Sequence, residues 1–155
     1  MRKGIIRKST SVLAKIMVGV GSFVVAIVGA GIYICKRNMK KANQNENQKS
    51  QVYSVFFTKG KVDVNNDSDN AYIACLTGEL DIAVPKPVKE KINIEITSFL
   101  ACVRIHVPAD VKVTCDGPLP SKNDLSIEEV PDMELLPEIH FTVKSKVSKV
   151  EFVNG

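Results

Sequence analysis

The sequence predicts an all-β domain, an irregular β-solenoid or alternatively a β-sandwich, preceded by one transmembrane helix. Three observations support this. Residues 16–35 form an uncharged apolar run, the apolar period changes to two after residue 50, and the β-like segments recur at intervals near twenty residues. Charge is divided in the same way. Residues 1–50 hold ten Lys/Arg and one Glu, whereas residues 51–155 hold eleven Lys/Arg and sixteen Asp/Glu. The net charge of +4 therefore belongs to the N-terminal arm, and the part expected to fold is acidic. An acidic domain argues against nucleic acid as a partner. About 105 residues after the arm suffice for one modest core.

Residues 1–15 read as a basic tail containing Arg2, Lys3, Arg7, Lys8 and Lys15. Residues 16–35, IMVGVGSFVVAIVGAGIYIC, are twenty long, which at ~1.5 Å per residue spans the ~30 Å of a bilayer's hydrocarbon core. A cleaved signal peptide would need the run to stop near Val28-Gly29-Ala30, but it continues to Cys35. Ile34 before Cys35 excludes an acylation box, which needs a small residue there. Five Lys/Arg before the span face five after it, so the positive-inside rule does not orient the chain. Ser22, Ala26 and Ala30 form a small-residue stripe through which two spans could self-associate.

Residues 36–51, KRNMKKANQNENQKSQ, are polar and basic, with no apolar stripe to bury, and are expected to form a flexible linker. From residue 52 to 155 apolar and polar positions alternate. The clearest runs are Val62/Val64, Leu80/Ile82/Val84, Ile92/Ile94/Ile96, Val103/Ile105/Val107, Val111/Val113, Ile139/Phe141/Val143 and Val150/Phe152. Alternation buries one face of a strand, and the seven prolines punctuate the runs where turns belong. Several runs share a local form of apolar pair, small or polar corner and alternating strand, as in Phe56-Phe57-Thr58 and Leu76-Thr77-Gly78. Unequal repeats of this kind suggest stacked rungs.

No chemistry-bearing constellation stands out. Asp63-Val64-Asn65-Asn66-Asp67-Ser68-Asp69 spaces oxygens like a calcium loop, but Ser68 and Ala74 stand where Gly and Glu are needed, so a solvated hairpin turn is expected. Cys102 and His106 on one strand face are ~13 Å apart along the strand, too far to share a metal. Cys75, Cys102, Cys115, His106 and His140 contain no close ligand pair. Cys115 follows the inward register of Val111 and Val113, as a free buried thiol, which favours a reducing, cytoplasmic compartment. G-x-S-x-G is absent, neither histidine has an evident acid beside a nucleophile, and Asn66-Asp67-Ser68 is a glycosylation triplet in form only. No catalytic, cofactor or metal residue is expected, and no enzyme.

GELDIAVP at 78–85, SFLACVRIHVP at 98–108 and PEIHFTVKSKVSKVEFV at 137–153 resemble, in order, the C-terminal domain of LiaF-like proteins. These are the cell wall-active antibiotics response proteins of Gram-positive bacteria, related to toast-rack β-solenoids. Where that pattern has paired glycines, this chain has Ala101-Cys102, Ser121-Lys122 and Ser148-Lys149. The resemblance implies a bacterial, non-enzymatic regulator of envelope-stress signalling that contacts a protein partner, such as a membrane histidine kinase. The alternative is an extracytoplasmic domain contacting wall polymer or lipid. Self-association through solenoid edges is a further expectation.

Overall fold

In the computed structural model the described residues are 4–44, 47–87, 90–117, 136–146 and 148–154; side chains are described from residue 22 onward. The chain divides into two compact units, Met1–Tyr33 and Ile34–Gly155. The first is helical. Helix α1 runs from Gly4 to Gln44, and its apolar stretch is long enough to cross a membrane.

The alternating segments form one sheet in which every pairing is parallel, with strands β1 (Ser50–Phe56), β2 (Lys59–Asp63), β3 (Asn70–Ala83), β4 (Lys91–Val107), β5 (Lys112–Asp116), β6 (Glu138–Lys146) and β7 (Lys149–Asn154). A two-sheet sandwich built on hairpins is therefore not the architecture. β1 and β2 both pair with β3, and β6 and β7 both pair with β4, so each rung consists of a first arm, a corner and a second arm. Partners Ser50 and Asn70 are 20 positions apart, Asn70 and Asn93 are 23 apart, and Lys91 and Glu138 are 47 apart.

At the corner the buried parity changes. In β3 the core takes Ala71, Ile73 and Cys75 from the first arm, then Leu80 and Ile82 from the second. In β4 it takes Ile92, Ile94 and Ile96, then Ala101, Val103 and Ile105. A strand of strict period two would send the second arm's apolar side to solvent. The switch is made by Phe57, Thr77 and Leu100, whose φ angles of 56°, 58° and 50° are left-handed. Side-chain-bearing residues hold this conformation at a cost of roughly 1–2 kcal/mol each, highest for β-branched Thr77. Stacking offsets that cost. Phe57 N donates to Leu76 O at 3.0 Å and Glu79 N to Thr58 O at 3.3 Å, so neighbouring rungs fix each other's corners. Gly78 (φ 152°) lies so close to the previous rung that a Cβ would stand 2.2 Å from Thr58 O. One apolar cluster fills the space between the arms, with Phe141 fully buried and in edge contact with Phe152 at 5.1 Å between ring centroids.

Two expectations are corrected. Residues 36–44 are not a flexible linker: they are the last turns of α1, and Asn38 there is fully buried. The Asp63–Asp69 segment is not a hairpin turn, because β2 and β3 run parallel; it returns the chain to the start of the next rung. Strand order is β1-β3-β4-β6-β5, so the late strand β6 lies between β4 and the earlier β5. Ser121 and Lys122 lie outside the described residues.

Gly78→Ala should destabilise the fold by about 2 kcal/mol or more through the clash and the strained φ. Phe141→Ala should cost about 3–5 kcal/mol. Chemical denaturation of the purified chain measures both; a loss under about 0.5 kcal/mol for Gly78→Ala contradicts the corner geometry.

Candidate functional site

The most structured polar constellation lies on the outer face of the first arm. Glu95 projects there between the core residues Ile94 and Ile96, with Tyr72 and Thr142 beside it in the same row. Helix positions 34, 37, 38 and 41 recur at three- and four-residue spacing and form one face. That face meets the sheet. Arg37 Nη2 donates to Glu95 Oε1 at 3.3 Å and to Thr97 Oγ1 at 3.2 Å, and Lys41 Nζ to Glu95 Oε2 at 2.5 Å. Lys144 Nζ of β6 approaches Glu95 Oε1 at 3.1 Å from the other side. Cys35 Sγ donates to Ser54 Oγ at 2.9 Å, and Lys41 Nζ stands 5.7 Å from the centre of the Tyr72 ring. Burial alone would raise the Glu95 pKa, but the hydrogen bonds and charges of Lys41 and Lys144 outweigh it, and its carboxyl lies below the ordinary value. The side chain is only 13% exposed, so screening by solvent is limited. None of these residues stood out in the sequence, although the Arg37/Lys41 spacing on a helix was a usable signal.

A second constellation sets His140 between an acid and a hydroxyl, a juxtaposition the sequence does not show. His140 Nε2 is 3.2 Å from Asp116 Oδ2, and its Nδ1 is 2.8 Å from Thr114 Oγ1. Acid, imidazole and hydroxyl thus stand in the order of a nucleophilic triad. The hydroxyl is already engaged, since Thr114 Oγ1 donates to Glu138 Oε1 at 2.8 Å. That bond and Lys91, 3.1 Å away, hold Glu138 below its usual range, so it remains an acceptor. A hydroxyl whose single proton goes to a carboxylate accepts from the imidazole and does not hand it a proton. The cluster links β5 to β6, and no oxyanion-binding group accompanies it among the described contacts.

The other sequence candidates are dispersed. In the 63–69 segment, Asp67 pairs with Lys49 Nζ at 2.5 Å and Asp69 accepts the Lys49 backbone N–H at 2.8 Å. Asn65 Oδ1 accepts the Asp67 N–H at 3.4 Å. These oxygens serve protein donors and close the turn. Cys102, Arg104 and His106 share the outer face of the second arm, where Lys61, Asp81, Arg104 and Glu151 form a row of alternating charge across four strands. Arg104 reaches Asp81 at 3.5 Å, and His106 is 3.9 Å from the same carboxylate. His106 also borders a shallow apolar cleft of about 350 Å³ with Val84, Pro85 and Pro108. Among the described residues no group of three or more His, Cys, Asp and Glu is placed to hold a metal ion. The four cysteines are free thiols; burial, with the nearby Cys102 adding to it, pushes Cys75 up to about 11 while it stays enclosed. Cys115 packs against the core beside Val113.

Comparison with protein-family models, curated proteins and solved structures gave no match.

Glu95→Gln should weaken the helix-to-sheet contact by about 1–2 kcal/mol, between the values for exposed and fully buried pairs. Because the folded-state pKa of Glu95 is depressed, its contribution is complete above the unfolded carboxylate pKa of ~4.3 and is lost as pH falls through the folded value. Denaturation between about pH 7 and pH 3 should therefore show a shallower acid loss in the variant. Parallel curves would contradict the role given to Glu95.

Proposed function

We propose that the chain is a single-pass membrane protein whose C-terminal part is a β-solenoid acting as a non-enzymatic interaction module. In this reading it modulates envelope-stress signalling in a bacterium through protein contact, as the resemblance to the LiaF-like family implies, and a membrane histidine kinase is the partner class. The observation carrying it is the in-register stack of parallel rungs, 20 and 23 residues long, in a chain that also holds an apolar helix long enough to span. Such a stack presents flat polar faces and open strand edges, surfaces suited to protein contact. Free cysteines, including the buried Cys75, support a reducing compartment and thus a cytoplasmic domain.

The second reading places the domain outside the membrane, touching wall polymer or lipid. The row Lys61, Asp81, Arg104 and Glu151 favours it, because alternating charges on a flat face suit a polar polymer.

Impermeant thiol labelling of intact cells carrying Asn47→Cys distinguishes the two: protection until permeabilisation is expected, and labelling from outside supports the second reading. Deleting the chain should also change induction of an envelope-stress reporter by a cell-wall-active antibiotic. Unchanged induction contradicts the signalling role.

A further inference from the structure

We infer that the helix segment 34–44 is a detachable latch on the outer face of the first arm, with Asn38 as its built-in weakness and Glu95 as its catch. The inference concerns only this segment and the sheet, and holds whichever functional reading is correct.

Asn38 is fully buried, yet neither Oδ1 nor Nδ2 has a partner, and Arg37 Nε beside it is also buried and unpaired. A buried amide without hydrogen bonds is costly, and the same group is satisfied by water once the segment lifts. An apolar side chain at that position would favour docking; asparagine opposes it. Against this weakness stand the bonds of Arg37 and Lys41 to Glu95 and of Cys35 to Ser54. These pairs need Glu95 to carry its charge, so acid weakens the docking, whereas salt acts only weakly on so enclosed a carboxylate.

The sheet is prepared for release. Glu95 keeps Lys144 of β6 as a counter-charge when the helix cations leave, so opening does not strand a carboxylate without a partner. Lys49, immediately before β1, is held independently: its backbone N–H donates to Asp69, its carbonyl accepts from Asp69 N and Asn70 N, and its ammonium pairs with Asp67. Lifting the helix segment therefore leaves the rungs intact. The face beneath is made for cover. Ala74 lies in the row Ser54–Ala74–Thr97, both of whose outer members bond the helix, and it is completely buried although it points away from the core.

Native-state thiol labelling of an Ala74→Cys variant of the full chain in detergent micelles, followed peptide by peptide by mass spectrometry, reads the latch directly. Cys75 is the internal reference for opening of the core itself. The expected result is labelling at position 74 well ahead of Cys75, slowed about tenfold or more by adding Asn38→Leu and accelerated by adding Glu95→Gln. Asn38→Ala, which cannot overfill the site, should slow it as well. Oxidising Ser54→Cys onto native Cys35 should abolish labelling at 74. The inference is overturned if position 74 is labelled no faster than Cys75, or if neither Asn38 substitution slows it.

Discussion

The left-handed corner at Phe57, Thr77 and Leu100 is the constraint on which the fold depends. A β-strand exposes alternate side chains to opposite faces, so a bent strand can bury only one arm unless its parity shifts at the bend. Here the shift occurs at equivalent positions of successive rungs, and the apolar sets of both arms join in one cluster. Glycine would take these angles with least strain, but only the neighbouring Gly78 is glycine, where backbone approach leaves no room for a Cβ. The first two corners rely on each other, through Phe57 N to Leu76 O and Glu79 N to Thr58 O.

The outer faces of the two arms differ in what they face. The second arm carries its alternating row of charges, while the first carries Glu95 and a helix segment held by cations. A basic stretch following an apolar helix is usually read as a membrane-surface anchor. In this chain two of its charges, Arg37 and Lys41, are turned to the protein's own carboxylate, while Lys36 and Lys40 are exposed. The proposed latch would tie the proposed contact role to the outer face of the first arm.

Strands were legible because their apolar alternation is strict: every run named from the sequence falls in or at the end of a strand except Val111 and Val113, which straddle the start of β5. The rung length was also within reach, since Gly60 to Gly78 and Gly78 to Cys102 bracket the observed offsets of 20 and 23. The position of β6 between β4 and β5 was not legible, because period-two alternation carries no information about which strands are neighbours. The helical extension through Gln44 was hidden for a different reason. Its docking face, Ile34, Arg37, Asn38 and Lys41, holds one apolar residue and is tied down by the bonds of Arg37 and Lys41, so composition reads as a solvated tether. The Thr114–His140–Asp116 alignment likewise depends on β5 pairing with β6, a contact between residues 26 positions apart.

The central claim is parallel, in-register rungs with a corner, and backbone NOEs in the full chain in detergent micelles test it most directly. Asp81 should show contacts to Arg104 and Tyr72 to Glu95, the same offset on both sides of the corner. If β3 and β4 instead formed a hairpin, Ala83 would lie opposite Lys91, a residue after the corner in one strand would meet a residue before it in the other, and Asp81 would contact Asn93. That pattern would contradict the account at its root.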